Sequence, residues 1–414
     1  MLAILAVYLL LQRKVFVELS KYVPDNAAFA CKFQSKKLSE TEIQTLAQYG
    51  FPPKMLKQLM GNELHPGPLF NQPMLFFGEQ TPAGPALGLL FAPKDLSEFN
   101  SILQETRYTG TTINESNGIR FLEFSTGLYL AWTDELALLS FQLSAGDTYP
   151  MALFNNKNKA SGSFEKLKSD SVQCMLKPAA VLQMLNYEKP SSVLTALAGF
   201  IPQKTTLFGK LNKQTDRLLM DLDVTDGATE LNALLKPAPG GEICADESKT
   251  EKYGSLIYLA LQKQALGSIA ALTGQSGNPL LSKLNGNACL WLPENNNNTE
   301  QPWLLWLGAE FTQNEKILLQ QSSSGVGVSS LPGLNITLSG NCLLLSPKGQ
   351  TIADHGYKIP KHPMAIHLRS HETSLSLLGN SRTMQLKLEF QANQSPLLWF
   401  LKALGQSNVS ETTP

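Results

Sequence analysis

The chain has 414 residues, of which 43% are hydrophobic and 16% are charged. Its 34 basic and 34 acidic residues cancel to a formal net charge of zero. Nucleic-acid grooves and polybasic membrane faces need clustered Lys and Arg, so this balance predicts no nucleic-acid partner. A chain of this length is expected to form about two to four domains, and it has enough apolar side chains to build their cores.

The N-terminal segment, residues 1–21, opens with the apolar run "MLAILAVYLLLQ" and continues with Arg13 and Lys14. As a helix this run would reach about 18 Å, which is shorter than the roughly 30 Å hydrocarbon core of a membrane. We interpret it as a membrane anchor or signal-like segment, with a buried core helix as the alternative. The basic residues alone favour a cytoplasmic side for the rest of the chain. An apolar run at the extreme N-terminus is nevertheless more typical of an anchor that leads into an exported body, so we expect an extracytoplasmic protein, in the periplasm or at the cell surface.

Four similar segments along the chain each predict a strand that leads through a short polar step to a helix. Each contains five to seven strand-like residues and then a leucine that opens or enters the helix. The four starts are "AAFACKFQSKKL" (27–38), "VQCMLKPAAVL" (172–182), "SLIYLALQKQAL" (255–266) and "MAIHLRSHETSL" (364–375).

Four further segments predict the matching ends, in which an alternating strand runs into a capped helix. Asp or Thr followed three residues later by Glu fits the capping box, Ser before Pro is a favoured cap and first-turn pair, and apolar residues then recur at helical spacing. The four predicted caps are Asp95 (with Glu98), Asp226, Thr312 (with Glu315) and Ser395.

These starts and ends predict an α+β fold that consists of a duplicated module. The sheets are expected to be mixed or antiparallel, with helices packed on one face, in four related strand-helix-strand-helix units. The first module is 22–237 (units 27–142 and 169–237), and the second is 253–405 (units 253–347 and 363–405). Residues 238–252 are expected to form a linker, and residues 406–414 a disordered tail.

Aromatic residues cluster in the strands that the two modules share. "QPMLFFGEQTPAGPALGLLF" aligns with "NACLWLPENNNNTEQPWLLWLGAEF", and both read as a strand, a polar turn and a strand. The aromatic side chains could line an apolar groove for a lipid or peptide, or they could form the core face of the sheet. The candidate ligand-binding residues are Phe76, Phe77, Trp291, Trp303 and Trp306.

A histidine cluster is the candidate metal site. His362, His367 and His371 lie close together in the sequence, and a strand through "MAIHLRSH" would point His367 and His371 to one face. A solvated strand end is the alternative, because the sequence contains no HExxH-type spacing and the corresponding segments carry no histidine.

The cysteines and the remaining motifs predict no catalytic site and no cofactor. The five cysteines are isolated, and no pair has CxxC spacing, so we expect neither a disulfide framework nor a thiolate zinc site. The sequence contains no GxSxG motif, no phosphate-binding P-loop and no dinucleotide fingerprint. We therefore predict that the protein is not an enzyme, and only the histidines argue otherwise.

The segment "YVPDNAAFACKFQSKKL" (22–38) joins a membrane-adjacent stretch to a Val-Pro, a small-residue step and an apolar strand. With the duplicated layout, it resembles bacterial (Bacteroidetes-type) membrane-anchored envelope proteins of unknown function. This sequence departs from them in lacking a lipobox cysteine. The resemblance implies an extracytoplasmic, non-enzymatic role and supplies no catalytic residues.

Two functions remain open from the sequence. The first is a membrane-anchored, extracytoplasmic binding or scaffolding protein of the bacterial envelope, which binds envelope protein partners and contacts the membrane through its N-terminal segment. The second is a carrier or sensor that holds a hydrophobic ligand, a lipid or peptide, between sheet and helices.

Overall fold

The structure is a computed structural model that describes part of the chain. The described residues are 19–34, 40, 43–44, 47, 52–61, 65–70, 72–82, 84–105, 113–125, 128–142, 154, 173–185, 195, 198–199, 201–213, 217–236, 255–266, 282–292, 303–317, 334–339, 342–347, 362–369 and 373–390. They fall into two compact units. The first comprises the described residues up to Gln203 with Phe208–Lys210, and the second comprises Lys204–Leu207 with the described residues from Leu211 to Pro396.

The first unit is an antiparallel sheet with short helices. Its strands are β1 (Ala27–Gln34), β2 (Pro73–Thr81), β3 (Gly84–Phe91), β4 (Asn114–Ser116), β5 (Ile119–Ser125), β6 (Leu128–Trp132), β7 (Ala137–Gln142) and β8 (Cys174–Leu176). They are hydrogen-bonded in the order β4-β5-β6-β7-β3-β2-β1-β8. The helical elements are a 3-10 helix (Leu19–Tyr22), α1 (Pro53–Met60), α2 (Leu96–Glu105) and α3 (Pro178–Leu185).

Helices α1 and α2 pack on one face of this sheet. Phe99 of α2 is fully buried, and its ring makes edge contacts with Phe91 at 6.0 Å and with Trp132 at 6.2 Å between centroids. The next helical residue, Asn100, accepts a hydrogen bond of 2.8 Å from Trp132 Nε1. The apolar ring and the polar tip of Trp132 thus both contact α2, which fixes where the helix lies. Helix α3 packs nearby, where its residue Met184 joins a cluster with Phe29.

The opposite face of the first sheet is buried as well. Leu19 and Val23, in and just after the 3-10 helix, pack with Ala30, Leu75 and Phe77 of β1 and β2. Such two-sided burial explains why "MLFF" and "LGLLF" read as apolar runs and not as a clean alternation.

Strand β9 (Thr206–Lys213) has residues in both units. The remaining strands belong to the second unit: β10 (Arg217–Asp226), β11 (Ser255–Ala260), β12 (Leu284–Leu292), β13 (Leu304–Ala309), β14 (Leu334–Ser339), β15 (Cys342–Pro347), β16 (Met364–Arg369), β17 (Thr373–Gly379) and β18 (Thr383–Phe390). Their order is β10-β18-β17-β16-β11-β12-β13-β15-β14, all antiparallel. Helix α4 (Ala228–Leu234) follows β10.

Six strands of each unit are arranged in the same pattern. The order β6-β7-β3-β2-β1-β8 in the first unit matches β14-β15-β13-β12-β11-β16 in the second. The predicted hairpin-like segments of the two halves are β2-β3 and β12-β13, and both are antiparallel hairpins. The hairpin prediction is therefore confirmed.

The prediction of an α+β fold with four strand-helix-strand-helix units is wrong. The described part of the chain is dominated by antiparallel strands, and its longest helix has ten residues. The segment 364–375 shows the reason. Its Leu375 was expected to open or enter a helix, but this residue lies in β17 and pairs with Leu388 of β18. Ser374 and Ser376 alternate with leucines, and this period of two is typical of a strand.

The predicted helix caps have three different outcomes. Asp95 Oδ1 accepts a 2.9 Å hydrogen bond from Glu98 N, and Thr312 forms a reciprocal capping box with Glu315 through bonds of 2.8 to 3.4 Å, so these two caps are confirmed. Asp226 was predicted wrongly, because Gly227 is the residue before α4 and no side chain caps that helix. Ser395 lies outside the described residues.

A bulge shapes β12. Its register against β13 shifts between Leu284 and Ala288, and Gly286 within the shift has φ +94. A Cβ atom at Gly286 would lie 1.9 Å from Leu261 O, and Leu261 N donates to Gly286 O at 2.6 Å. Only glycine permits this backbone approach.

Candidate binding site

A row of buried side chains crosses the sheet of the second unit. Ala365, Tyr258, Cys289, Trp306 and Leu344 are successive cross-strand neighbours on β16, β11, β12, β13 and β15, and we call them the Trp306 row. Paired residues of an antiparallel ladder point to the same face. All five belong to one apolar cluster.

The structure brings two of the three predicted tryptophans to this row. Trp306 is 4% exposed and lies within it, and Trp291 is half-buried and packs against the same cluster. Trp303 is half-buried and lies one residue before β13 begins. The predicted aromatic group of the second half is thus anchored in a packed core.

Tyr258 and Cys289, the titratable members of the row, are held in their neutral forms. Burial, with a smaller effect of the Cys342 thiol, raises the pKa of Cys289 to about 12. Burial also raises the pKa of Tyr258, whose Oη lies 3.5 Å from Asn287 Oδ1. A thiol that stays protonated near neutral pH is a poor nucleophile. The row therefore contributes apolar packing to the core and no reactive group.

The two predicted phenylalanines lie on opposite faces of β2 in the first unit. Phe77 is fully buried with Leu75 and Ala30, and Phe76 is half-buried 5.4 Å from the Phe29 ring. Because neighbouring residues of a strand alternate in direction, Phe76 and Phe77 cannot line one groove. They also lie in a different unit from the three tryptophans.

Glycines opposite these rings complete the packing. Phe77 pairs with Gly88, and a Cβ atom at Gly88 would lie 2.2 Å from Phe77 Cζ. Phe29 pairs with Gly78, where a Cβ atom would lie 2.4 Å from Phe29 Cε1. Each aromatic ring thus covers the glycine across the ladder, a known way to pin strand register.

Two of the three histidines of the predicted metal site lie in the described part of the chain. His367 is exposed on β16, and its Nδ1 lies 2.8 Å from Ser376 Oγ on β17. His362 is also exposed, and His371 lies outside the described residues. No group of three or more His, Cys, Asp or Glu side chains that could hold a metal ion occurs among the residues that the structure describes.

The carboxylates of β10 are involved in surface contacts. Asp221 and Asp223 are both exposed and pair across the ladder with Gln385 and Thr383 of β18. Asp221 Oδ1 accepts a 2.8 Å hydrogen bond from Gln385 Nε2. An exposed side-chain bond of this kind is typical of a solvated sheet face.

Sequence reasoning missed one close pair of cysteines. Cys31 of β1 and Cys174 of β8 are direct neighbours across the first sheet, and both are buried. The two positions are more than a hundred residues apart, and neither lies in a recognisable motif. Only the strand register reveals their proximity.

Comparisons with known proteins leave the family open. No family model matches the chain, and no curated protein matches it. A solved structure, described as "Structure of crystal form I of TP0453", aligns over 81% of this chain and 93% of its own, with 11% identity and a TM-score of 0.23. A similarity this weak carries no argument about fold or function. None of the helices in the described ranges is both long enough and apolar enough to cross a membrane.

Proposed function

We propose that the protein is a non-enzymatic binding or scaffolding protein of the bacterial envelope that presents sheet surfaces to protein partners. One observation carries this proposal over the ligand-carrier alternative. Two of the aromatic side chains proposed to line a ligand groove, Phe77 and Trp306, are only 0% and 4% exposed. Rings enclosed by protein side chains act as core, whereas a ligand site needs accessible apolar wall.

The polar side chains that could do chemistry support a non-enzymatic role. Asp95 and Glu315 are engaged in helix caps, and His367 in a bond to the neighbouring strand. Catalytic acids and bases are usually recognised by strongly shifted pKa values in a cleft. The lowered pKa of Glu315 has a structural cause, because its partners are Lys283 and Thr312.

Envelope location and membrane attachment are part of the proposal. They rest on the apolar residues 1–21, of which 1–18 lie outside the described residues, and on the resemblance of residues 22–38 to envelope proteins. The zero net charge supports a protein partner over a nucleic acid. The matching strand orders of the two units support two similarly built surfaces, so we propose a module present in two copies.

A carrier of a lipid or apolar peptide is the second candidate. The observation that favours it is the partial exposure of Trp291 and Trp303, which lie on and beside the paired strands β12 and β13. Replacing both by alanine would weaken retention of such a ligand, and it would leave protein partners bound elsewhere unaffected.

Proximity labelling of the full chain in its native cells tests the first candidate. The proposal expects a few envelope proteins to be enriched reproducibly over a membrane-anchored control of unrelated fold. Labelling indistinguishable from that control would remove the scaffolding proposal. Native mass spectrometry of the purified full chain tests the second candidate, since a carrier would retain lipid at about one molecule per chain.

A further inference from the structure

Two buried cysteines of the first unit are placed opposite each other on adjacent strands. Cys31 of β1 is paired in register with Cys174, the first residue of β8. The next two pairs of this ladder are Ala30 with Met175 and Phe29 with Leu176. Cys31 is 9% exposed and Cys174 is fully buried. Both side chains point to the same face, because paired residues of a ladder do.

The neighbouring hydrogen bonds show whether Cys31 and Cys174 are a hydrogen-bonded or a non-hydrogen-bonded pair of the ladder. Lys32 N donates to Gln173 O at 2.6 Å, and Lys177 N donates to Ala28 O at 2.7 Å. Hydrogen-bonded pairs alternate with non-hydrogen-bonded pairs along an antiparallel ladder. The two bonds belong to the pairs Lys32–Gln173 and Ala28–Lys177, so Cys31 and Cys174 form a non-hydrogen-bonded pair. Such pairs have Cα atoms about 4.5 Å apart and the closest side chains of a ladder. That separation lies within the roughly 4.4–6.8 Å range of disulfides.

We propose that Cys31 and Cys174 form a reversible cross-strand disulfide that ties β1 to β8 under oxidising conditions. The inference stands on the strand register and does not depend on the proposed function. Cys31 and Cys174 are isolated in the sequence but are neighbours across the ladder. The bond would join positions more than a hundred residues apart and close most of the first unit into one covalent loop.

The reaction is a thiol–disulfide exchange with a small disulfide oxidant, for which oxidised glutathione is the probe. One cysteine loses its proton and its sulfur attacks the glutathione disulfide, which forms a mixed disulfide and releases one glutathione. The second cysteine loses its proton and attacks the protein sulfur of that mixed disulfide, which releases the second glutathione. The two cysteines lose two protons and two electrons, and oxidised glutathione becomes two molecules of reduced glutathione.

Burial slows this reaction in the folded protein. The hydrogen bond with the Cys31 thiol, and then burial, raise the pKa of Cys174 well above its ordinary value. Because the thiolate is the reacting form, exchange in the folded protein is slow at neutral pH and faster as the pH rises. Refolding in the presence of the oxidant bypasses this barrier, since both thiols are then accessible.

The second unit supplies a matched control. Cys289 and Cys342 are also buried and belong to one cluster. They lie on β12 and β15, which flank β13 on either side. Strands separated by one neighbour are roughly 9–10 Å apart, beyond the limit of about 7 Å for a disulfide. Cys289 and Cys342 should therefore remain thiols under conditions that oxidise the first pair.

The test is peptide mapping of the full chain after reduction, denaturation and refolding in a glutathione redox buffer. Free thiols are alkylated, and the digest is analysed without reduction. We expect a peptide linked through Cys31 and Cys174 in most molecules, with Cys289 and Cys342 alkylated. Full alkylation of Cys31 and Cys174, or a link from either one to the fifth cysteine of the sequence, Cys244, would overturn the proposal.

A thermal measurement separates a native disulfide from one formed by misfolded chains. In the wild-type chain, oxidation should raise the Tm of the first unit by about 10 °C, given the large loop that the bond closes. In the Cys31→Ala variant, the oxidised and reduced samples should have the same Tm. This comparison holds even where the substitution lowers the Tm of both samples. A linked wild-type chain with an unchanged or lower Tm would show that the folded register does not accommodate the bond.

Discussion

Phe99 is one of the buried residues by which α2 packs on the first sheet, with Ile102 and Leu103, and its removal is an informative perturbation of the fold. Phe99 is fully buried and touches the rings of Phe91 and Trp132. Burial of a phenylalanine side chain stabilises by up to about 3 kcal/mol, and each edge contact adds about 0.5–1.5 kcal/mol. Phe99→Ala should therefore lower the free energy of unfolding by about 4 kcal/mol, within the usual range of about 3–5 kcal/mol for such truncations.

Urea unfolding, followed by far-UV circular dichroism and tryptophan emission, measures this loss as a fall in the transition midpoint at constant slope. Ser101→Ala on the exposed side of the same helix is the matched control, and it should change stability by less than about 0.5 kcal/mol. Phe99→Leu keeps most of the apolar volume and should lose only about 1–2 kcal/mol, because it removes the ring contacts. A loss below about 1.5 kcal/mol for Phe99→Ala would refute the packing of α2 on the sheet through this ring.

Three further predictions concern a cap, a bulge and a carboxyl group. Asp95→Ala should lower the free energy of unfolding by about 1 kcal/mol, whereas Asp95→Asn should change it little, because asparagine also caps helices; equal losses in urea would contradict the cap. Gly286→Ala should lower the Tm far more than Gly118→Ala. Both glycines have positive φ, but a Cβ at Gly286 meets backbone and one at Gly118 meets nothing within 4 Å; equal shifts would contradict the bulge. Hydrogen bonds, first from Lys283, lower the pKa of Glu315 from 4.5 to about 2. Its contribution to stability is complete above the unfolded pKa and is lost as the pH falls through about 2. An NMR titration of Glu315 with a midpoint at about 4 or above, the ordinary range of a glutamate, would contradict these contacts.

The local features of the fold could be predicted from the sequence because they depend on residues close together in the chain. The capping box of Thr312 and Glu315 is complete within four residues, and the hairpins arise from apolar runs around polar turns. The cap of α4 could not be predicted in this way. A Cβ at Gly227 would lie 2.7 Å from Thr205 Oγ1, so the residue at this helix start is set by a distant segment.

The overall fold and the candidate site depend on strand register, which cannot be read from one local stretch of sequence at a time. Reading each apolar stretch separately predicted helices and sheets in equal alternation, whereas long antiparallel pairing dominates the described chain. The same limit applies to single residues. From the sequence Trp306 could line a groove or belong to the core, and its burial beside the cross-strand neighbours Cys289 and Leu344 places it in the core. The pairing of Cys31 with Cys174 is likewise visible only in the register.

Native mass spectrometry of the full chain, purified gently from its own cells, tests the central claim most directly, because it detects protein partners and bound lipid in one spectrum. If the protein binds and scaffolds partners and has Trp306 and Phe77 in its core, the spectrum should contain complexes with a second protein. After these complexes dissociate, the chain should appear at its own mass. A chain that instead carries about one lipid molecule and never a second protein would contradict the claim and establish the carrier.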